Sequence, residues 1–184
     1  LVAGALAGGF GPIGAALSEP SVLSAFGRTL LISLIVVLVH GAAEEIRALA
    51  GAQHVEASDL EGTGVTDART LALAITAANR LTHEILEGLS ANDLRAACPN
   101  VVTSHPVGII QGVDHLFTGR VERIDTEFLQ SLLTLGVVPI LPPLGFDGEG
   151  KTYRVNSDDV AVAAASQLKA VKLIFITSRE GLIH

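Results

Sequence analysis

The chain has little of several residue types that mark common functional classes. It contains no methionine and no tryptophan, one cysteine and one tyrosine, and aromatic residues make up only 4% of its 184 positions. The single cysteine, Cys98, excludes an internal disulfide, and a reducing cytoplasm is the simplest location for such a protein. Lys and Arg number 12 against 19 Asp and Glu, which gives a formal charge of -7. A nucleic-acid partner is therefore not expected, because such proteins usually carry a basic face.

Long apolar runs and metal-ligand spacings are missing as well. The runs Leu1–Leu17 and Leu30–Val39 fall short of the roughly 20 apolar residues that span a bilayer, so no membrane segment is expected. The six histidines show neither H-x-x-x-H nor H-E-x-x-H spacing, so no metal site is expected. A G-x-S-x-G nucleophile elbow does not occur and no Walker-type P-loop is expected, so neither the usual hydrolase class nor the P-loop class is expected.

A glycine pattern near the N-terminus is the first candidate anion site. Gly9 to Gly14 (GFGPIG) matches G-x-G-x-x-G, in which backbone amides at a helix N-terminus hold a pyrophosphate. That fingerprint requires a preceding strand, and Leu1–Ala7 is poor in β-branched residues. No acidic residue follows at the spacing of about 20 positions that would hold a ribose. A dinucleotide site is therefore not expected here.

Hydrophobic periodicity predicts that strands and helices alternate along the chain. Apolar residues make up 49% of the sequence, mostly aliphatic ones, as in a buried parallel sheet. The run Thr29–Val39 predicts one or two buried strands that end in a turn at His40. The other predicted elements are a helix with Thr66 or Asp67 as N-cap, one or two hairpins within 101–125, a helix over 126–135, strands at 137–141 and 152–155 on either side of an Asp147-Gly148 turn, a helix from Ser157 to about Leu168, and a last strand over 172–177. This order favours an α/β architecture with a mainly parallel sheet.

Two short segments are candidate binding sites, and each also has a purely structural interpretation. His40-Gly41-Ala42 ends a buried strand, where a glycine turn lets backbone N–H groups approach an anion; it could equally be a plain strand-to-helix turn. In the segment 156–159, Asn156 and Ser157 are expected to cap a helix, and the two acids that follow complement the helix dipole. A carboxylate there could also orient a cation.

Five stretches follow one another in an order that points to a known family. They are LVHGA (38–42), GVTDARTL (64–71), GVDHLFTGRVERID (112–125), VVPILPPLGFDGEGKTYRVNSDDVA (137–161) and LKAVKLIFIT (168–177). Together they resemble the amino-acid kinase family, and within it the kinase-like domain of bacterial N-acetylglutamate synthases. The resemblance covers about Thr29 to His184. The chain is expected to be one such domain over residues 1–184, with 1–25 unassigned.

The resemblance implies a fold and a biochemical setting. The family has a three-layer α/β/α sandwich around a mainly parallel sheet, in agreement with the periodicity. Its kinase members phosphorylate the side-chain carboxylate of N-acetylglutamate with ATP. The synthases instead join acetyl-CoA to glutamate in a separate acetyltransferase domain, at the first step of arginine biosynthesis, and the kinase-like domain carries feedback inhibition by arginine in sensitive relatives. The acetyltransferase domain is expected to be absent from this chain.

The resemblance also implies site residues, with departures from the kinase pattern. Kinases begin their first strand with a lysine and follow it with a Gly-Gly turn; the corresponding segment, placed at 28–36, has neither. The kinase His-Gly-Gly turn appears with an alanine in third place, and Gly64 and Arg154 stand where kinases keep a substrate-binding arginine and asparagine. Asp158 matches the catalytic acid that organises the kinase lysines. The substrate-binding or anion-binding residues expected on this basis are His40, Gly41, Ala42, Gly64, Arg154 and Asn156.

The expected function is that of a regulatory or assembly domain of an N-acetylglutamate synthase that binds an amino acid, arginine or N-acetylglutamate. Its expected partners are an acetyltransferase domain and further copies of itself in a cytoplasmic homo-oligomer. No cofactor is expected in this chain, since acetyl-CoA would belong to the full synthase. The alternative is an active N-acetylglutamate kinase that uses ATP and Mg²⁺. A third possibility is an assembly domain that binds no small molecule.

Overall fold

Strands and helices alternate through most of the chain, as the periodicity predicts. The computed structural model describes residues 2–7, 36–60 and 62–177. In chain order the elements are β1 (Val2–Ala7), β2 (Val36–His40), α1 (Ala43–Gln53), α2 (Ala68–Ser90), β3 (Ala96–Ala97), β4 (Val102–Pro106), β5 (Ile109–Ile110), β6 (Val113–Asp114), β7 (Gly119–Ile124), α3 (Thr126–Thr134), β8 (Val138–Leu141), β9 (Leu144–Phe146), β10 (Thr152–Arg154), α4 (Ser157–Gln167) and β11 (Lys172–Thr177).

The main sheet has five strands in the order β11-β1-β2-β8-β3. Every pairing in it is parallel, and β1 lies between β2 and β11, with Val2 opposite both Val36 and Lys172. Parallel strands need crossover connections; in the described part of the chain, α1 and α2 follow β2, α3 precedes β8, and α4 lies between β8 and β11. Because helices then cover both faces, β2 is apolar along almost its whole length (VVLVH).

Alternating side chains of β2 divide the core between the two faces of this sheet. Val37 and Val39 belong to an apolar cluster with residues of α3 and α4, including Leu129 and Val160. Leu38 packs on the opposite face, in a cluster that includes Leu81 of α2. Helix α1 packs against α2, and apolar residues of both helices form a third cluster. The result is a three-layer α/β/α sandwich, as expected.

A second sheet stands beside the main one, in the order β10-β9-β4-β7, and β5 and β6 form a separate two-stranded ribbon. The pair β4–β7 is antiparallel and encloses the β5–β6 hairpin. One or two hairpins are predicted within residues 101–125, and the structure has two, with one enclosed by the other. The short strand β9 is not among the predicted elements; it begins immediately after Pro142-Pro143 and pairs antiparallel with β10.

Most predicted elements are confirmed, and one interpretation of the N-terminal residues is wrong. The helices predicted after Asp67, over 126–135 and after Ser157 are α2, α3 and α4. The low content of β-branched residues in Leu1–Ala7 argues against a strand, yet Val2–Ala7 is a central strand. Backbone pairing with β2 and β11 stabilises β1 by more than the low β-propensity of its residues destabilises it. The predicted run at 29–35 and the G-x-G-x-x-G pattern at 9–14 lie outside the described residues.

The helices that the structure describes are too short or too polar to serve as membrane spans.

Candidate functional site

The carboxyl ends of β2 and β8 lie at the same edge of the main sheet, where ligands of open α/β sheets gather. His40 ends β2, and its side chain is fully buried. Its Nε2 lies 2.9 Å from Oγ1 of Thr82 on α2, and its Nδ1 lies 2.9 Å from the carbonyl oxygen of Gly41. Burial lowers the pKa of His40, with a smaller opposing effect from the bond to Gly41. A neutral, internally bonded imidazole is what this geometry provides.

The turn after His40 leads directly into α1. Ala42 is the N-cap of α1 and makes no side-chain capping bond, and it is itself buried. Two acids, Glu44 and Glu45, occupy the first turn. Burial raises the pKa of Glu45, its own backbone hydrogen bond acts against this, and the Glu84 and Glu44 carboxylates raise it further. Carboxylates already complement this helix dipole, so they oppose the binding of an anion at the same amides.

The start of α4 is capped as the sequence predicts. The Asn156 side chain accepts hydrogen bonds from the backbone amides of Asp158, at 2.9 Å, and Asp159, at 3.1 Å. Ser157 is the first helical residue rather than a second cap. Both acids are exposed in the first turn. Asp158 therefore faces solvent at the carboxyl edge of the fold, and its expected catalytic role stays a prediction.

Arg154 is buried, with only 3% of its surface exposed. Its Nη1 donates to the backbone oxygen of Asp59 at 2.6 Å and lies 3.3 Å from Asp59 Oδ2. Its Nη2 donates to the backbone oxygen of Leu60. The guanidinium is thus held by the loop that joins α1 to α2. An anion at Arg154 would have to displace the Asp59 carboxylate, and the anion-binding role expected of this residue stays a prediction.

Gly64 stands in the same loop and is held from two sides. Its carbonyl accepts a hydrogen bond from Thr118 Oγ1 at 2.6 Å, and the Thr118 hydroxyl also donates to Thr66 Oγ1 at 2.9 Å. A Cβ at this position would lie 3.1 Å from Asp59 Oδ1. The structure therefore brings Gly64 and Arg154 together around Asp59. No hydrogen bond joins the imidazole of His40 to this group among the described residues; its partners are Thr82 and Gly41.

The expectation that the chain has no P-loop pattern is wrong, because one match lies between β9 and β10. The segment 145–152, GFDGEGKT, fits G-x-x-x-x-G-K-[ST]. A P-loop joins a strand to a helix, whereas this segment joins two antiparallel strands. Asp147 Oδ1 accepts from the amides of Glu149, at 2.9 Å, and Lys151, at 2.8 Å, so the turn satisfies those amides internally. The match does not form a phosphate site.

The first strand of the sheet is β1, not the segment at 28–36 to which the family resemblance assigned it. The residues of β1 are VAGALA, with no lysine, and the first lysine anywhere in the chain is Lys151. Gly8-Gly9 directly follow β1 in the sequence, and they lie outside the described residues. A Gly-Gly pair therefore follows the first strand, contrary to expectation, whereas the expected absence of the lysine holds for this strand. The pair itself was the signal that could have located β1.

Within residues 36–60 and 62–177, no three His, Cys, Asp or Glu side chains come together as ligands for a metal ion.

The fold and this edge of the sheet define an α/β domain of the kind that binds small molecules where parallel strands end. The chain belongs to the amino acid kinase family, which matches residues 15–184. The family expected from the five sequence stretches is therefore confirmed.

Two curated relatives within this family are similar to the chain over most of its length. The chain is 34% identical over 182 residues to an amino-acid acetyltransferase of Ralstonia nicotianae, which covers 94% of this chain and 39% of the relative. An acetylglutamate kinase of Symbiobacterium thermophilum is 32% identical over 160 residues, or 79% of this chain and 54% of that enzyme. The chain thus spans from about two fifths to about half of these curated relatives.

Solved structures of one enzyme share the fold. N-acetylglutamate synthase from Neisseria gonorrhoeae, complexed with coenzyme A and N-acetyl-glutamate, has a TM-score of 0.80 at 28% identity, over 98% of this chain and 42% of that one. The same enzyme complexed with coenzyme A and L-arginine has a TM-score of 0.79, also at 28% identity, over 99% of this chain and 44% of that one. The chain is therefore similar to the kinase-like part of N-acetylglutamate synthases.

Proposed function

We propose that the chain is the kinase-like regulatory and assembly domain of an N-acetylglutamate synthase. The observation that carries this is the match to the Ralstonia amino-acid acetyltransferase, which extends over 94% of the chain. In the complete enzyme, an acetyltransferase domain would join acetyl-CoA to glutamate, and residues 1–184 would form a single domain that influences it. The cytoplasm is the proposed compartment, and copies of the chain are proposed to assemble into a homo-oligomer.

The proposed ligand is arginine. The support comes from the Neisseria enzyme, which has been solved with L-arginine as well as with N-acetyl-glutamate. Feedback by the end product of a pathway requires a site whose occupation has different free energies in two states of the enzyme. A domain without chemistry of its own suits that role, because its ligand is never consumed.

Three features of the described residues speak against phosphoryl transfer, which depends on positioned cations. Strand β1 has no lysine. The Lys151 ammonium lies 5.1 Å from the ring centroid of Phe117 and 5.4 Å from that of Tyr153. The Arg154 guanidinium is bonded to Asp59 and Leu60. Two of the cationic groups near this end of the fold are therefore already engaged within the protein.

Calorimetric titration of the folded chain with L-arginine tests the proposal. Citrulline is the matched control, because it has the same backbone and side-chain length but a neutral urea group in place of the guanidinium. Saturable heat with arginine and none with citrulline is expected. A folded oligomer that gives no heat with arginine would count against the regulatory role, and a thermal-shift panel of amino acids and nucleotides would then test the assembly-only alternative. A ligand at 100 times its dissociation constant should stabilise by about 2.7 kcal/mol.

An active N-acetylglutamate kinase is the second candidate, favoured by the 32% identity to the Symbiobacterium acetylglutamate kinase. In that case the Gly8-Gly9 pair, which follows β1 in the sequence, would correspond to the glycine pair of the kinase pattern, with ATP and Mg²⁺ as cosubstrates. Incubation with ATP, Mg²⁺ and N-acetylglutamate in the presence of hydroxylamine would trap an acyl phosphate as the hydroxamate. Formation of hydroxamate that depends on N-acetylglutamate would establish the kinase and remove the regulatory proposal as the sole function.

A further inference from the structure

The guanidinium of Arg154 has the surroundings of a bound ligand rather than those of a surface charge. Its acceptors come from a loop 94 and 95 positions earlier in the chain. They include the backbone oxygens of Asp59 and Leu60 and the Asp59 carboxylate. The carboxylate belongs to a side chain that is only 12% exposed. A planar cation with a fixed fork of donors is matched here by acceptors that are also fixed.

The loop is built to hold these acceptors in place. Asp59 Oδ2 accepts a hydrogen bond from the amide of Gly62 at 2.6 Å. Gly62 has a φ of +78°, and a Cβ there would lie 3.2 Å from the backbone oxygen of Val155, the residue after Arg154. Only glycine adopts that conformation readily and allows this approach. The loop therefore closes directly onto the strand that carries the guanidinium.

The backbone of Arg154 is anchored independently of its side chain. Its amide donates a hydrogen bond to the carbonyl oxygen of Phe117 at 2.9 Å. The amide of Val155 donates one to the carbonyl oxygen of Pro143 at 3.1 Å. Leu60 packs against the apolar cluster that contains Ala42 and Leu144. The acceptors would thus keep much of their arrangement if the Arg154 side chain were removed.

We propose that Asp59 and Leu60 form a guanidinium-binding site that the protein fills with its own Arg154. Arg154 is a positioning residue: it closes the loop over the start of α4 and keeps free guanidinium compounds out. Without this side chain, the site takes a small guanidinium compound from solution. The inference is independent of the proposed function, because in the unaltered chain the Arg154 side chain fills this site and no ligand from solution is involved.

Chemical rescue of Arg154→Ala tests the proposal. The substitution should lower the melting temperature by about 10 °C, since it removes the cation that balances the charge of the largely buried Asp59 carboxylate. Methylguanidinium chloride at millimolar concentration should restore part of this loss and should not stabilise the unaltered chain. Methylurea, the neutral analogue of nearly the same shape, should restore nothing. The matched variant is Arg120→Ala, which removes the same side chain from an exposed position on β7 and should show no rescue.

Rescue by methylguanidinium alone supports the proposal. A folded Arg154→Ala variant that is not rescued, or is rescued equally by methylurea, overturns it, and so does equal stabilisation of the unaltered chain. If the variant does not fold, NMR of the unaltered chain decides: the side-chain N–H protons of Arg154 should exchange with water far more slowly than those of Arg120. Equal exchange rates would overturn the proposal. Arginine binding by the unaltered chain would leave it untouched, so the two proposals can fail separately.

Discussion

The imidazole of His40, at the end of β2, lies 2.9 Å from the hydroxyl of Thr82 in the middle of α2. Burial lowers the pKa of His40 below its ordinary value, since the charged form would lose its hydration. The unfolded chain therefore binds a proton at this residue at a higher pH than the folded chain does. The hydrogen bond and the neutral state of the ring belong together.

Stability should fall on acidification because of this residue. The contribution of His40 is fully present above the unfolded pKa of about 6.5 and decreases as the pH falls toward the lower folded value, with a slope of at most about 1.4 kcal/mol per pH unit. Urea denaturation across this range measures the slope. His40→Asn, which keeps a hydrogen-bonding side chain, should be less stable at neutral pH but less sensitive to acid. Equal pH dependence of the two proteins would contradict the assignment.

The raised pKa of Glu45 predicts that stability depends on pH in the opposite direction. Burial raises the pKa of its carboxyl, and the Glu84 and Glu44 carboxylates add to that effect. The folded chain therefore holds this proton more tightly, and stability decreases as the pH rises from the ordinary value through the raised one. Glu45→Gln should increase the free energy of unfolding at pH 7 by about 0.5 kcal/mol, a small amount because the residue is half exposed. Glu149→Gln, in the exposed turn before β10, is the control and should change nothing.

The N-cap of α2 allows a test of local stability. The Asp67 side chain accepts a hydrogen bond from the amide of Thr70 at 2.7 Å, and this bond lowers the pKa of the carboxyl. Asp67→Ala should lower the free energy of unfolding by about 1 kcal/mol. Asp67→Asn should retain most of it and lose only the part that disappears as the pH falls through the lowered pKa. If both variants were equally destabilised, the charge rather than the cap would be responsible.

Ser104 and Gly145 predict effects of opposite sign at one contact between β4 and β9. The hydroxyl of Ser104 is buried and makes no hydrogen bond within the part of the chain that the structure describes. Ser104→Ala should therefore raise the free energy of unfolding by about 1 kcal/mol. Gly145→Ala should lower it by about 1–3 kcal/mol, because the new Cβ would meet that hydroxyl and its carbon; the built Cβ lies 2.6 Å from Ser104 Oγ. Gly148→Ala, with open space around it, is the control for denaturation experiments.

Substitutions of Asp158 and Asp159, the adjacent acids of α4, would distinguish a role in a binding site from a structural role in the helix. Asp158 and Asp159 are both exposed in the first turn, and both amides are bonded to Asn156. Replacing either by Asn should cost the same few tenths of a kcal/mol, since both acids interact with the helix dipole. Only Asp158→Asn should reduce hydroxamate formation if the chain is a kinase. Equal effects of both variants on that assay would remove Asp158 from the site.

Local signals were sufficient for much of the fold. The caps at Asp67 and Asn156, the apolar stripe of α2 and the turns around Gly112 each depend on contacts within a few residues. Such contacts follow from backbone hydrogen-bonding needs and side-chain spacing, so they are visible in the sequence. Less of the candidate site could be predicted from the sequence. Gly64 and Arg154 were named through the family resemblance, whereas their common partner Asp59 was not.

The sequence by itself determined the alternation of strands and helices, the parallel character of the sheet and the family. Tertiary structure alone decided that VAGALA is a central strand, because it pairs with a strand on each side. It also decided that β9 forms directly after Pro142-Pro143, where it pairs antiparallel with β10. It also decided that Arg154 meets Asp59. Pairings across such distances depend on closing long loops, and their free energy comes from partners that no local pattern identifies.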